Sequence, residues 1–252
     1  MWVTTQLKIL IVNAVEWSEE YLRIPYQRDV FDWIRTAFGE NPEGFLEWQA
    51  QKDKSPPEES FDAVVVSGSA ASAFDREAWI GRLSDAILGW ADVGMPILGI
   101  CFGHQIVARA LGGRVERNPI GWEVGTQPLE LTVVGSHDPL FESITSPLDV
   151  MQSHRDIVVE APQGAVTLAS SPSCEHQSLA IGDNIRTIQF HPEYTIGHMT
   201  YLVGPRKPML TEAGVDFEVM QTGIRETPES RRVLSNFNRN FIEKFIRRET
   251  DD

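Results

Sequence analysis

Cysteine is scarce in this chain. Only Cys101 and Cys174 occur among 252 residues, and neither belongs to a CxxC pair or to a spacing typical of a zinc site. Two isolated cysteines indicate neither a disulfide framework nor structural zinc. We therefore expect a protein of a reducing compartment, the cytoplasm, with no metal and no cofactor.

Positive charge and long apolar runs are also scarce. The chain has 22 Lys and Arg against 36 Asp and Glu, a formal net charge of −14. Nucleic acids and anionic membranes are bound through clusters of Lys and Arg, so we expect neither as a partner. No stretch of the sequence reaches the roughly 20 apolar residues of a membrane span. The short apolar run at 9–12 lacks a basic leader, and we interpret it as a strand rather than part of a signal peptide.

Hydrophobic residues make up 42% of the sequence, enough to fill one substantial core. We expect a single domain over residues 1–252. Short β-branched runs alternate with amphipathic segments, which is typical of a mostly parallel sheet covered by helices on both faces. The predicted strands are 7–14, 61–69 and 96–100, and the predicted helices between them are 25–38 and 76–92.

Other parts of the sequence show different patterns of polar and apolar residues. The polar segment 49–60 is predicted to be a loop, and from about residue 125 the β signals alternate with short turns. These strands are expected to complete the sheet and to add a small antiparallel extension. An amphipathic stripe predicts a last helix over 229–248. Residues 195–228 show weak periodicity, and we hypothesise that they form a rim over the site and influence substrate choice.

The segment PILGICFGHQIVARALGG, residues 96–113, places Cys101 between a predicted strand and a helical pattern. Gly99 and Gly103 flank the cysteine, as in a nucleophile elbow, where a sharp turn lifts one reactive side chain above the sheet. A thiol there faces the positive end of the following helix, which favours the thiolate. Alternatively, Cys101 is a small buried hydrophobe, since cysteine is often buried.

A second pattern is IQFHPEY, residues 188–194, in which a β-rich run ends at His191 and Glu193. A cysteine nucleophile needs a base, and the base needs a group that orients it. His191 and Glu193 suit these two roles. Alternatively, His191 is a hydrogen-bonded structural residue. An HxE pair also suits a metal, but the sequence suggests no third ligand nearby.

GICFGHQ followed by QFHPEY resembles the class I glutamine amidotransferase family. The two motifs occur in the family's order, and the strand pattern is compatible over roughly residues 7–194. The resemblance implies a flavodoxin-like α/β sheet and a Cys-His-Glu triad. In that triad Cys101 is the nucleophile, His191 the base and Glu193 its partner.

The resemblance also implies the reaction and its oxyanion hole. The thiolate attacks the γ-carbonyl of a glutamine-like substrate, a γ-glutamyl thioester forms, ammonia or an amine leaves, and water releases glutamate. The backbone N–H groups of Phe102 and Gly68 are the implied oxyanion donors. Gly68 lies in SGSAAS, where many family members have a Gly-Gly-Pro type loop, so the shape of this turn is open.

Three further residues match substrate-binding positions of the family. Gln105 resembles the glutamine that holds the substrate, and Ser153 and His154 resemble a segment that contacts its α-amino and carboxylate end. Other readings stay open, with Gln105 as a hydrogen bonder at a helix start and His154 as a turn residue. The remaining histidines (His104, His137, His176 and His198) are expected to be structural. Cys174 is interpreted as a plain loop residue rather than a regulatory thiol.

The resemblance leaves three functions open. The first is hydrolysis of a γ-glutamyl amide bond, in glutamine or a γ-glutamyl peptide, by the chain alone. The second is a glutaminase subunit that supplies ammonia to a synthetase. Because the sequence has no P-loop and no second catalytic domain, we expect any synthetase to be a separate polypeptide. The third is a catalytically silent binding module, which the presence of all three triad residues disfavours.

Overall fold

The computed structural model of this chain describes residues 7–24, 26, 29–39 and 44–251. The strands formed by these residues are β1 (Ile9–Asn13), β2 (Phe45–Gln49), β3 (Ala63–Val66), β4 (Ile97–Ile100), β5 (Arg114–Arg117), β6 (Glu123–Leu131), β7 (Leu148–His154), β8 (Asp156–Glu160), β9 (Val166–Ser171), β10 (Cys174–Ile181) and β11 (Ile185–Ile188). The α-helices are α1 (Glu19–Leu22), α2 (Val30–Phe38), α3 (Ala78–Asp92), α4 (Phe102–Ala110), α5 (Ile196–Val203), α6 (Lys207–Glu212), α7 (Phe217–Thr222), α8 (Pro228–Phe237) and α9 (Glu243–Asp251).

The central sheet has the strand order β2-β1-β3-β4-β11-β10-β9-β6-β7. The first five strands pair in parallel, and the next four continue the same sheet in antiparallel pairs. With β11 in the fifth position, the parallel part has the flavodoxin-like order 2-1-3-4-5. The predicted α/β fold with an antiparallel extension is confirmed, and β5 and β8 add a separate two-stranded sheet.

Alternate residues of the parallel strands feed two apolar clusters, one on each face of the sheet. In β1, Ile9 and Ile11 belong to one cluster with residues of α2, α5 and α8, whereas Leu10 and Val12 belong to the other with residues of α3 and α4. This follows from the two-residue period of a strand. Because helices cover both faces of the sheet, a ligand can reach side chains of the parallel strands only at the strand ends.

Helix α3 matches the helix predicted over 76–92, but one residue was assigned to the wrong face. The helical spacing of the sequence predicts that Leu88 lies on the apolar face with Ile87 and Leu83, but Leu88 is 39% exposed. Trp90 is buried in its place and packs edge-on against Trp48 of β2. A tryptophan side chain buries more apolar surface than a leucine side chain does. In α3 the side of the helix that carries Trp90 therefore faces the sheet.

The remaining elements differ in detail from prediction. Strand β2 was not predicted, because an edge strand with the polar sequence FLEWQ lacks a continuous apolar run. Residues 25, 27 and 28 of the helix predicted over 25–38 lie outside the described residues, and α2 begins at Val30. The last predicted helix is α8 and α9 joined by a π-helical turn, Asn238–Ile242. No helix in the described ranges is long and apolar enough to cross a membrane.

Candidate active site

Cys101 lies between the end of β4 and the start of α4. Its N–H donates to the Ile188 carbonyl of the neighbouring strand β11 at 2.9 Å, and its carbonyl accepts from the Gln105 N–H at 3.1 Å. Its φ of 53° is in the left-handed region, which non-glycine residues seldom adopt. A strained φ of this kind occurs where a sharp turn from strand to helix exposes one side chain. The backbone of Cys101 therefore matches that of a nucleophile elbow.

The two glycines that flank Cys101 are required by close backbone approach. A β-carbon at Gly99 would lie 2.5 Å from the Gly103 carbonyl oxygen, and one at Gly103 would overlap the Val66 carbonyl oxygen of β3. The Gly103 N–H instead donates to the Ser67 carbonyl at 3.1 Å. The glycines thus allow α4 to start directly against the ends of β3 and β4.

His191 and Glu193 follow the end of β11, and the structure brings both to Cys101. The Nδ1 atom of His191 lies 2.7 Å from Oε1 of Glu193, and each of the two residues is only 2% exposed. The His191 N–H donates to the Met151 carbonyl of β7 at 2.9 Å, which fixes the residue against the antiparallel part of the sheet. The imidazole and Cys101 line the same cavity, on either side of Gly68.

The charge state of His191 is controlled by its two neighbours. Burial alone would lower the pKa of His191, but the negative charges of Glu193 and Cys101 and their hydrogen bonds raise it to about 10. An imidazolium is therefore the favoured form near neutral pH. A protonated histidine next to a cysteine side chain is suited to donate a proton to a leaving group.

An aromatic ring holds the imidazole in place from one face. Tyr194 stacks on His191 with ring centroids 3.9 Å apart and planes at 5°. Trp33 of α2 packs edge-on against Tyr194 at 6.0 Å, and His198 stacks on Trp33 at 4.2 Å. The side chain of His198 also caps α5 together with Thr195, so this histidine has a structural role.

The two predicted oxyanion donors lie close to the thiol. Phe102 is the first residue of α4, so its N–H has no acceptor within the helix. Gly68 lies against both candidate catalytic side chains: a β-carbon there would be 2.9 Å from Cε1 of His191 and 3.7 Å from Cβ of Cys101. The SGSAAS turn therefore runs next to the thiol despite its departure from the family's usual loop.

Replacing Gly68 with alanine is expected to lower kcat/KM by about 10²-fold, because the new methyl group displaces the imidazole and small misplacements of reacting groups are costly. The φ of Gly68 is outside the left-handed region, so alanine fits the backbone there. Steady-state kinetics and a thermal melt measure the two effects separately. Gly81→Ala in α3 is the control, since nothing lies within 4 Å of its added methyl group. Equal kinetics for the two variants would contradict the placement of Gly68.

The three predicted substrate-binding residues line one cavity with Cys101. The Gln105 amide nitrogen donates to the Asp156 carbonyl at 2.7 Å and to Oε1 of Gln189 at 3.1 Å. Ser153 accepts a hydrogen bond from Arg206 at 3.1 Å. Gln105 is thus held by the protein and lines the cavity, although it is only 3% exposed.

His154 is part of a buried network that the sequence did not indicate. Its Nε2 lies 3.1 Å from Oε2 of Glu123, and its Nδ1 lies 3.2 Å from the Asp156 carbonyl. Although burial alone would raise the pKa of Glu123, hydrogen bonds and the charge of His154 keep it below its usual value. Ser171 and Gln177 donate to the same carboxylate at 2.7 and 2.9 Å. His154 ends strand β7, so the alternative of a turn residue is wrong.

The cavity beside Cys101 has a volume of about 490 Å³. Its wall is rich in aromatic residues, namely Trp17, Tyr21, Trp33, Trp122 and Tyr194. Segment 195–228, which forms α5 to α7, contributes Leu202, Arg206 and Met209. The structure thus places part of this segment at the rim, although no motif in the sequence marked these three residues.

Two reciprocal hydrogen bonds attach this segment to α1. The Tyr21 hydroxyl donates to the Leu202 carbonyl at 2.8 Å, and the Tyr201 hydroxyl donates to the Tyr21 carbonyl at 3.2 Å. The rings of Tyr21 and Tyr201 pack edge-on at 5.6 Å. Residues 180 positions apart in the chain thus form one wall of the cavity.

Cys174 is the first residue of β10 and not a loop residue. Its side chain is 1% exposed, and burial together with the charge of Glu123 raises the pKa of its thiol. A buried thiol that resists ionisation is a poor nucleophile. This agrees with the prediction that Cys174 has no regulatory role. Within the described residues, no group of three His, Cys, Asp or Glu side chains is arranged to hold a metal ion.

Comparison with known proteins agrees with this geometry. The family model described as glutamine amidotransferase class-I matches residues 44–202. This chain belongs to the class I glutamine amidotransferase family. It is 33% identical over 202 residues to gamma-glutamyl peptidase 3 of Arabidopsis thaliana, an alignment that covers 77% of this chain and 80% of the relative.

Two other relatives match a smaller part of this chain. Gamma-glutamyl peptidase 4 of Arabidopsis thaliana is 37% identical over 166 residues, and the match spans 65% of this chain and 62% of the relative, less than two thirds of its length. One subunit of the glutamine-hydrolysing GMP synthase of Saccharolobus solfataricus is 37% identical over 136 residues, 53% of this chain and 68% of the relative.

Solved structures share the fold. A glutamine amidotransferase from Thermotoga maritima superposes with a TM-score of 0.73 at 22% identity, over 96% of this chain and 98% of that protein. At this identity the likeness concerns the fold, and it agrees with the strand order described above.

Proposed function

We propose that this protein acts as a single domain that hydrolyses a γ-glutamyl amide bond through a γ-glutamyl thioester on Cys101. The observation that carries the proposal is the buried His191–Glu193 pair, hydrogen-bonded at 2.7 Å, that contacts a cysteine in an elbow. The names of the gamma-glutamyl peptidase relatives support the hydrolytic reading.

In the first half of the reaction, the Cys101 thiolate forms a bond to the γ-carbonyl carbon of the substrate. The carbonyl oxygen becomes an oxyanion, which the N–H groups of Phe102 and Gly68 stabilise. When the tetrahedral intermediate collapses, the carbon–nitrogen bond breaks and the His191 imidazolium gives its proton to the leaving nitrogen. The products are a free amine, or ammonia, and a γ-glutamyl thioester.

In the second half, water attacks the thioester carbonyl while His191, now neutral, takes one of its protons. The carbon–sulfur bond then breaks, glutamate leaves and the thiolate–imidazolium pair is restored. Glu193 stays ionised throughout and stabilises the imidazolium, the role of the third member of a triad. Gln105, Ser153 and His154 line the cavity where they would contact the glutamyl end of the substrate.

The second candidate function is a glutaminase subunit that works with a separate synthetase. The identity to a GMP synthase subunit supports it. So do Ile120 and Val219, which are 71% and 67% exposed and border a second groove that shares Trp122 with the cavity. A contiguous apolar surface is typical of a protein-binding site, and these two residues border one groove.

The deciding experiment is glutamate release by the purified chain alone, offered glutamine and glutathione in parallel. Hydrolysis by the chain alone predicts steady release, with the Cys101→Ala variant as the blank. A glutaminase subunit predicts little release from either compound until a synthetase is present. Release that persists in the blank would contradict the thioester mechanism.

A further inference from the structure

Tyr194 covers one face of the His191 imidazole. The ring centroids are 3.9 Å apart and the ring planes are at 5°, so the two rings overlap closely. Neutral aromatic pairs prefer offset or edge-to-face arrangements, with centroids about 4.5 to 7 Å apart. A cation above a ring is attracted by the negative π-face. The close overlap therefore fits a positively charged His191 better than a neutral one.

The Tyr194 ring is itself held by neighbouring elements. Trp33 of α2 packs edge-on against it at 6.0 Å, and the Tyr194 carbonyl accepts a hydrogen bond from Nη2 of Arg231 at 3.3 Å. The residue is only 9% exposed. Its hydroxyl has no hydrogen-bond partner in the part of the chain that the structure describes. The part of Tyr194 that the protein uses is therefore its ring.

The imidazole is bounded at three places. Its Nδ1 lies 2.7 Å from Oε1 of Glu193, which leaves Nε2 to give a proton. A β-carbon at Gly68 would be 2.9 Å from Cε1, so the backbone limits the ring at that edge. These two contacts lie on the rim of the ring and leave it able to tilt. The Tyr194 ring on its face removes that freedom, and such restraint keeps a reacting group in place.

The same contact favours the charged form of His191. Burial alone would lower the pKa of His191, whereas Glu193 and Cys101 raise it to about 10. A cation above a π-face in a site with little water is stabilised by the equivalent of about one pKa unit or more. The Tyr194 ring thus acts in the same direction as the two negative groups.

We propose that Tyr194 is a positioning residue whose ring face stabilises the His191 imidazolium and holds it so that Nε2 gives its proton to the leaving nitrogen. The transfer of the proton rests on the proposed function, whereas the stabilisation of the charge does not. Because the ring and not the hydroxyl is required, phenylalanine should replace Tyr194 and leucine should not.

The first measurement is an NMR titration of the His191 ring in otherwise unchanged protein. Tyr194→Leu is expected to lower the pKa of His191 by about one unit or more, and Tyr194→Phe by only a few tenths. Both variants keep the other ionisable groups around the two rings, which are Glu193 after β11, Cys101 before α4, Arg206 after α5, His198 of α5, Tyr21 of α1 and Arg231 of α8. The difference between the two variants therefore reports the ring alone.

A second series keeps the packing of the site. Phenylalanine with one, two or three ring fluorines at position 194 has nearly the same size but a progressively less negative π-face. We expect the pKa of His191 to fall in step with the number of fluorines. These proteins retain an aromatic ring, so they also test the proposal if Tyr194→Leu does not fold. A pKa that is independent of the fluorine number would overturn it.

The third measurement is the pH profile of kcat/KM for whichever of glutamine and glutathione is hydrolysed. Loss of the π-face makes His191 lose its proton at lower pH, so in Tyr194→Leu the alkaline limb should move down by about the same one unit. At neutral pH we expect a loss of about tenfold or more, mainly in kcat, because the proton donor is less well placed. Tyr194→Phe should keep both the limb and kcat.

Phe241→Leu is the matched control. Phe241 is 6% exposed, stacks on Phe237 with centroids 5.4 Å apart and has the Arg186 guanidinium 4.7 Å from its ring centroid. It does not line the cavity. This variant therefore also removes a buried ring beside a cation. A thermal melt should show a loss of stability similar to that of Tyr194→Leu, with the pKa of His191 and kcat unchanged.

The outcomes separate this inference from the proposed function. A lower pKa of His191 in Tyr194→Leu and in the fluorinated series, with the pKa kept in Tyr194→Phe and Phe241→Leu, supports the assignment. An unchanged pKa in Tyr194→Leu, an equal fall in Tyr194→Phe, or the same fall in Phe241→Leu refutes it whether or not the chain is a hydrolase. Release of glutamate from neither compound by the wild-type protein refutes the proposed function and the proton transfer, while the titration still decides the charge stabilisation.

Discussion

Cys101→Ala is expected to reduce glutamate release to background, a loss of at least about 10⁴-fold in kcat/KM. Removal of a nucleophile eliminates the covalent step entirely, and losses of this size or larger accompany it in related mechanisms. The fold should persist, because Cys101 is small, and its polar contacts to Ile188 and Gln105 involve only its backbone. Continuous measurement of glutamate, together with a thermal melt, checks both parts.

The matched control is Cys174→Ala, which removes the other cysteine. Cys174 is buried at the start of β10, away from the cavity lining. Its removal should leave kcat/KM unchanged and lower stability by roughly 1 kcal/mol at most, as expected for the loss of one small buried group. Comparable activity losses in the two variants would indicate that Cys101 acts through folding rather than chemistry.

Glu193→Gln is expected to lower kcat/KM by about 10² to 10⁴-fold, less than the loss of the nucleophile. Glutamine keeps the shape and an acceptor for the His191 N–H but removes the negative charge. Because Glu193 raises the pKa of His191 towards 10, its neutralisation lowers that pKa. The imidazolium is then lost at lower pH, so the alkaline limb of the kcat/KM profile should move to lower pH.

A titration of the His191 ring by NMR separates this effect from a structural one. In Cys101→Ala the pKa of His191 should fall below the wild-type value, since the thiolate charge also raises it. Adding Glu193→Gln in that background should lower it again. If the double variant titrates like Cys101→Ala, Glu193 does not control the charge of His191 and its role in the triad is wrong.

Local patterns explain why much of the fold was predictable. Strand β4, the glycine-flanked turn and α4 are contiguous in sequence, and their signals are the apolar run, the glycines and the helical period. The edge strand β2 and the exposed Leu88 were missed, since their environment depends on which elements pack against them. Tertiary contacts of this kind override local propensity.

The residues of the site also fall into two groups, those that local motifs predict and those that only tertiary contacts bring together. The sequence alone predicted Cys101, His191 and Glu193 as candidate catalytic residues, because each belongs to a short motif whose residues are neighbours in the chain. It also determined the elbow, since strand, glycine and helix follow one another there.

Only the tertiary structure decided how the cavity is built. Tyr21 and Leu202 meet across 181 residues, and Arg206 reaches Ser153 across 53. The buried pair Glu123 and His154 likewise joins two strands of the antiparallel extension. Such contacts depend on sheet order and on where helices pack, and no periodicity within a single segment encodes either. The candidate catalytic residues were therefore predictable from local motifs, whereas the residues that line the rest of the cavity could be identified only from the packing of distant segments.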